Sequence, residues 1–195
     1  MYNHYAYGRI HMVKYTVIIF LTLCLLSSCY PSKRLQDGRK VLSKKYRNID
    51  KFDKSIYAKI DPDYFYKEVE CYRAGSDFKQ IVDHWDGPSG RKIQFYRDGH
   101  IRILFDKIKQ SPDPEISGGR GIIYLNNDGI RIDRQTGDQD GTLSKETLKV
   151  IIEGDRIYLL EQPVRWFLSS GKRFCFVYQK AEKVPEEWKE YKADW

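Results

Sequence analysis

The chain has 195 residues, of which 41% are hydrophobic, 31% charged and 14% aromatic. That is the length of one domain with attachments and enough apolar material for a core, and 15 Tyr, 9 Phe and 4 Trp favour strands over a helical bundle. A multidomain enzyme, a polytopic membrane protein and a coiled coil are excluded.

The formal charge of +7 is unevenly spread. Residues 29–60 hold ten cations against Asp37, Asp50 and Asp53, whereas residues 61–195 hold 22 cations against 24 acids. A nucleic-acid binder spreads its basic patch over the folded surface. Here the basic character is confined to one short stretch, so no nucleic-acid partner is expected.

Thr16 to Leu26 is an uncharged apolar run of 11 residues behind Lys14. It is too short to span a bilayer, which takes about 20 apolar residues, and it suits the centre of a secretory signal. Leu26-Ser27-Ser28-Cys29 follows at once: an aliphatic residue, two small residues and a cysteine. Over its first 29 residues the chain resembles bacterial lipoproteins. The resemblance implies cleavage before Cys29 and acylation of its thiol, with residues 1–28 as the signal and Met12 as the start of a complete signal. Several acyl chains hold firmly to a leaflet, at about 0.8 kcal/mol per buried methylene. Tyr30 and the basic Pro31-Ser32-Lys33-Arg34 point, by the same resemblance, to the outer membrane and its periplasmic face.

Residues 29–60 are expected to be a basic tether, with a short helix around Gln36–Tyr46. From Asp61 onward the domain, residues 61–195, is expected to be mainly β. A strand is expected near Phe65–Tyr72. Arg91–Arg97 and His100–Asp106 alternate around Asp98-Gly99, Gly121–Asn126 and Ile130–Arg134 flank Asn127-Asp128-Gly129, and Leu148–Glu153 and Arg156–Gln162 flank Gly154-Asp155. Asp-Gly between alternating runs is a strong hairpin signal, because Gly supplies the positive φ of the tight turn. With Arg165–Leu168 and Arg173–Lys180 these runs predict eight or nine strands in an antiparallel up-and-down meander. Such a sheet curls strongly or closes into a barrel. Val184–Trp195 is expected to form a short closing helix behind Pro185.

Trp85 ahead of Phe95-Tyr96-Arg97-Asp98-Gly99 resembles the lipocalin-like domains of bacterial lipoproteins, from about Phe78 to Lys180. Asp83-His84-Trp85 stands where true lipocalins open with Gly-x-Trp. The resemblance implies a barrel that binds a small apolar ligand or lipid. By strand parity the expected lining includes Phe95, Ile103, Ile132, Ile152, Phe176 and Tyr178.

Cys24 leaves with the signal, so Cys71 and Cys175 remain, either bridged across the first and last strands or as two thiols in apolar surroundings. His84 and His100 lack ligand spacing, and no metal or other cofactor is expected. Asp133 to Gly141 misses the closing Glu of a calcium loop, and Ser117-Gly118-Gly119-Arg120-Gly121 lacks the ending of a phosphate cradle. No nucleophile elbow is present, so no catalytic residue is assigned. Two functions remain: a non-catalytic ligand-binding lipoprotein, or an interaction module with a solid-packed barrel docking onto envelope proteins through Tyr64, Tyr66 and Trp85.

Overall fold

A computed structural model describes residues 32–43, 45–82, 88–106, 110–137, 143–162 and 173–195. Cys29, Met12, His84, Trp85, Arg165–Leu168 and Asp138–Gly141 lie outside the described residues. Ser32–Trp195 form one compact unit.

The strands are β1 (Ser32–Arg34), β2 (Lys40–Leu42), β3 (Tyr64–Ala74), β4 (Gln80–Val82), β5 (Arg91–Phe95), β6 (His100–Phe105), β7 (Gly119–Asn126), β8 (Gly129–Gly137), β9 (Leu143–Glu153), β10 (Arg156–Glu161) and β11 (Arg173–Lys183), followed by helix α1 (Glu186–Lys189). Strands β5 to β11 pair in chain order, β3 pairs with β5, and β11 returns to β3. The result is a closed eight-stranded antiparallel barrel, with β4 added beside the far half of β3. Closure removes the two long edges that an open meander would expose. The expected mainly-β meander and barrel with a short helix is the observed fold.

The three predicted tight turns lie together at one end. Gly99, with φ of 88°, sits so close to Phe52 that an added Cβ would lie 2.5 Å from the ring. Phe52 belongs to a segment with two 3-10 helices, Arg47–Lys51 and Lys54–Ala58, the second capped by Asp53 accepting from Ser55 N at 2.8 Å. Ile56 and Ile60 from this segment are buried in the barrel core, and the Tyr57 hydroxyl donates to Tyr96 O. Burying each isoleucine contributes about 1.5–3 kcal/mol. This end of the barrel is plugged.

Three expectations are corrected. Residues 32–60 are not a tether: from Ser32 the chain is folded domain. Leu42 N donates to Gln135 Oε1, Tyr46 OH to Arg120 O and Asn48 Nδ2 to Asp133 Oδ2, so this segment runs down the outside of β7 and β8. The helix expected over Gln36–Tyr46 is instead the β1–β2 hairpin, because Gly38 takes φ of 82° in its turn. The C-terminal helix spans only Glu186–Lys189, and Trp195 leaves it to donate from Nε1 to Gly121 O while packing edge-on against Tyr96.

Inside the barrel, Ile93, Phe95, Ile101, Ile123, Ile132, Leu148, Val150, Ile157, Leu159 and Tyr178 form the core. Strand β3 departs from simple alternation. Tyr178 pairs with Glu68 but Val177 pairs with Glu70, so Val69 is a bulge, 43% exposed. The extra residue shifts the parity: Glu68 and Cys71 both face inward.

Candidate functional site at the polar end of the barrel

The end opposite the plug carries charge on inward-facing positions. On β8, Arg134 follows Ile130 and Ile132 at inner parity; on β9, Glu146 precedes Leu148 and Val150; on β10, Glu161 follows Ile157 and Leu159. Arg91 precedes Ile93 and Phe95 on β5, and β3 adds Glu68 and Arg73. Strands β3, β5, β8, β9 and β10 therefore place charge at the inner positions next to their apolar ones, above a packed floor, whereas β11 places Phe174 and Phe176 there.

The geometry is specific. Arg134 Nε donates to Glu146 Oε2 at 2.7 Å, the two side chains being 7% and 19% exposed. The Arg134 guanidinium lies 4.7 Å from the Phe176 ring centre and that of Arg91 5.7 Å. Arg73 stacks on Phe174 at 3.5 Å, and the two phenylalanine rings stack 6.2 Å apart. Phe174 N donates to Glu161 Oε2 at 3.1 Å. Glu68, 1% exposed, accepts from Ser89 N at 2.9 Å, Ser89 Oγ at 2.8 Å and Tyr178 OH at 3.2 Å, which fixes the start of β5 against β3. Thr136 and Ser144 hydroxyls meet at 2.6 Å beside the Arg134–Glu146 pair.

Burial and the neighbouring Glu146 push the Glu161 carboxyl above its ordinary range, against the opposing pull of the Phe174 amide and Arg134. Burial works most strongly against the charge on Arg134, but Glu146, Tyr178 and Glu161 together outweigh it and hold the guanidinium above its ordinary range. The layer thus combines two neighbouring carboxyls, an arginine fork and two aromatic faces. That set suits a ligand with an acceptor-bearing head and a flat or apolar body.

The expected lining residues all lie on inward positions. Phe95, Ile132 and Tyr178 are buried in the core with Ile152 packed against it, while Ile103 and Phe176 border the polar layer. Sequence reasoning missed Glu68, Arg73, Arg91, Arg134, Glu146 and Glu161. The signal that finds them is inner parity carried one step past the apolar residues of each run.

Cys71 and Cys175 are free and buried. Cys71 pairs with Phe176 and Cys175 with Tyr72, so the bulge at Val69 sends the thiols to opposite faces of the sheet. This geometry does not support a bridge. Burial, followed for Cys71 by Glu68 and Glu161, pushes both thiols up to about 11, away from thiolate character.

The remaining candidates have structural partners. Asp133 lies outside the barrel, accepting from Tyr124 OH and Thr147 Oγ1 as well as Asn48. The His100 side chain is 12% exposed, with Nε2 at 2.8 Å from Trp195 O. Tyr66 is core, not a docking residue, and Tyr64 stacks with Lys180. Ser117 caps a buried arginine, Arg102, whose guanidinium also donates to the carbonyls of Ser111, Pro112 and Asp113. Among the described residues no group of three His, Cys, Asp or Glu side chains is placed to hold a metal. Compared with known protein families, curated proteins and solved structures, the chain finds no match.

Proposed function

We propose that the chain is a cell-envelope lipoprotein, acylated at Cys29 and held on the periplasmic face of the outer membrane, whose barrel binds a small non-covalent ligand at its polar end. The anchor is supported by the apolar run ending in Leu26-Ser27-Ser28-Cys29. The binding role is supported by one observation above all: charged side chains occupy inward positions of a barrel that is otherwise packed with Ile, Leu, Val and aromatics. A buried ion pair seldom repays its desolvation, so apolar residues at these positions are the more stable choice. Arg134, Glu146 and Glu161 beside Phe174 and Phe176 are retained for recognition. The ligand is amphiphilic, with its polar head at Arg134 and Glu161 and its body against the phenylalanine rings.

Two experiments test this reading. Cells expressing the chain with labelled fatty acid incorporate label in the wild type and lose it in Cys29→Ser. Protein purified from membranes in mild detergent yields, on organic extraction, a compound stoichiometric with protein and absent from the detergent blank. Label retained in Cys29→Ser overturns the anchor; an extract identical to the blank overturns the ligand.

A further inference from the structure

The folded unit begins at Ser32, and where Ser32 sits decides which end of the barrel meets the membrane. Ser32 pairs with Leu42 in the β1–β2 hairpin, and Leu42 N is tied to Gln135, two residues from the polar end of β8. The hairpin turn reaches further toward that end. Asp37 N donates to Ile116 O at 3.0 Å, Lys33 pairs with Glu115 at 2.5 Å, and Arg39 lies 4.6 Å from the ring of Phe105, the last residue of β6. All three partners belong to the polar end or to the β6–β7 connection above it. The plug, by contrast, follows later in the chain, after the segment has crossed the outside of the barrel.

Only Tyr30 and Pro31 separate Cys29 from Ser32, three residue steps in all. At about 3.3–3.6 Å per residue they span about 10 Å at most. A barrel strand the length of β7, tilted as closure requires, rises roughly 20 Å along the axis. The reach is shorter than the barrel. We infer that the acylated protein holds its polar end against the lipid leaflet with the plugged end pointing away, so that ligand passes between leaflet and barrel without crossing bulk water. The inference rests on acylation at Cys29. The partner surface is an anionic leaflet: Arg34 and Lys40 are exposed on the hairpin beside this end, and cations there are drawn to anionic headgroups.

The full acylated chain is reconstituted into phosphatidylethanolamine–phosphatidylglycerol vesicles that carry a headgroup quencher. One variant bears a dye at Ser76→Cys, in the β3–β4 turn at the polar end, and another at Asn127→Cys, in a plugged-end turn; both positions are exposed and both native thiols are buried. Quenching is expected to be stronger at residue 76 than at residue 127. A flexible Gly-Ser insert of about a dozen residues before Ser32, with a span of about 20 Å, is expected to abolish the difference. Equal or stronger quenching at residue 127, or a difference that survives the insert, overturns the orientation while leaving the anchor standing. Protein that carries no acyl chain and fails to float with the vesicles refutes the proposed function itself.

Discussion

Replacing Arg134 with Met keeps most of the volume and removes the charge that Glu146 faces. Glu146 is 19% exposed at its side chain and sits next to the second carboxyl, Glu161. Breaking a buried ion pair by removing one partner costs about 3–5 kcal/mol; the partial exposure of Glu146 places this pair near the lower figure, about 3 kcal/mol. Removing both charges together, Arg134→Met with Glu146→Leu, extends the apolar floor upward. That variant is expected to be as stable as the wild type or more stable by about 1–4 kcal/mol. Urea unfolding of the wild type, the two single variants and the double variant, with a common m-value, closes the cycle. A double variant as unstable as Arg134→Met alone, or a single substitution costing less than about 1 kcal/mol, refutes the claim that this layer is a stability sacrifice.

Glu161 has a raised pKa, so its protonated form favours the fold; that contribution is complete below the ordinary carboxyl pKa and is lost as pH rises through the raised value. Glu161→Gln is expected to flatten the fall of Tm as pH rises above the ordinary carboxyl value of about 4.3 and to raise Tm on the alkaline side of that fall. Gly99→Ala is expected to cost about 2–4 kcal/mol, combining the positive φ with the clash against Phe52, read as a lowered urea midpoint. Arg102→Met leaves the carbonyls of Ser111, Pro112, Asp113 and Ser117 without their shared donor, at about 1–3 kcal/mol for each one left buried. Faster amide hydrogen exchange over residues 111–118 is the expected readout. Cys71 and Cys175 are expected to resist thiol reagents in the native protein and to titrate as two thiols after unfolding in the absence of reductant.

The barrel was legible because its hairpins announce themselves. Asp98-Gly99, Asn127-Asp128-Gly129 and Gly154-Asp155 each interrupt an alternating run where a turn needs positive φ, and all three glycine positions with that geometry are observed. What was not legible followed from contacts distant in sequence. Residues 32–60 read as a basic linker because their anchors, Gln135, Arg120 and Asp133, lie more than 70 positions away. The bulge at Val69 leaves no local signature, yet it decides that Cys71 faces the interior and Cys175 the outside. The candidate site was hidden for a simpler reason. Arg91, Arg134, Glu146 and Glu161 stand at the ends of apolar runs, where a charge reads as the edge of a strand and not as part of its inner face.

Native mass spectrometry of the detergent-extracted protein, run side by side on the wild type and the Arg134→Met, Glu146→Leu variant, tests the binding role most directly. The wild type is expected to carry an additional mass that dissociates on collisional activation, and the variant, equally folded, to fly bare. Bare wild-type protein, or the same adduct on both, contradicts ligand recognition at the polar end.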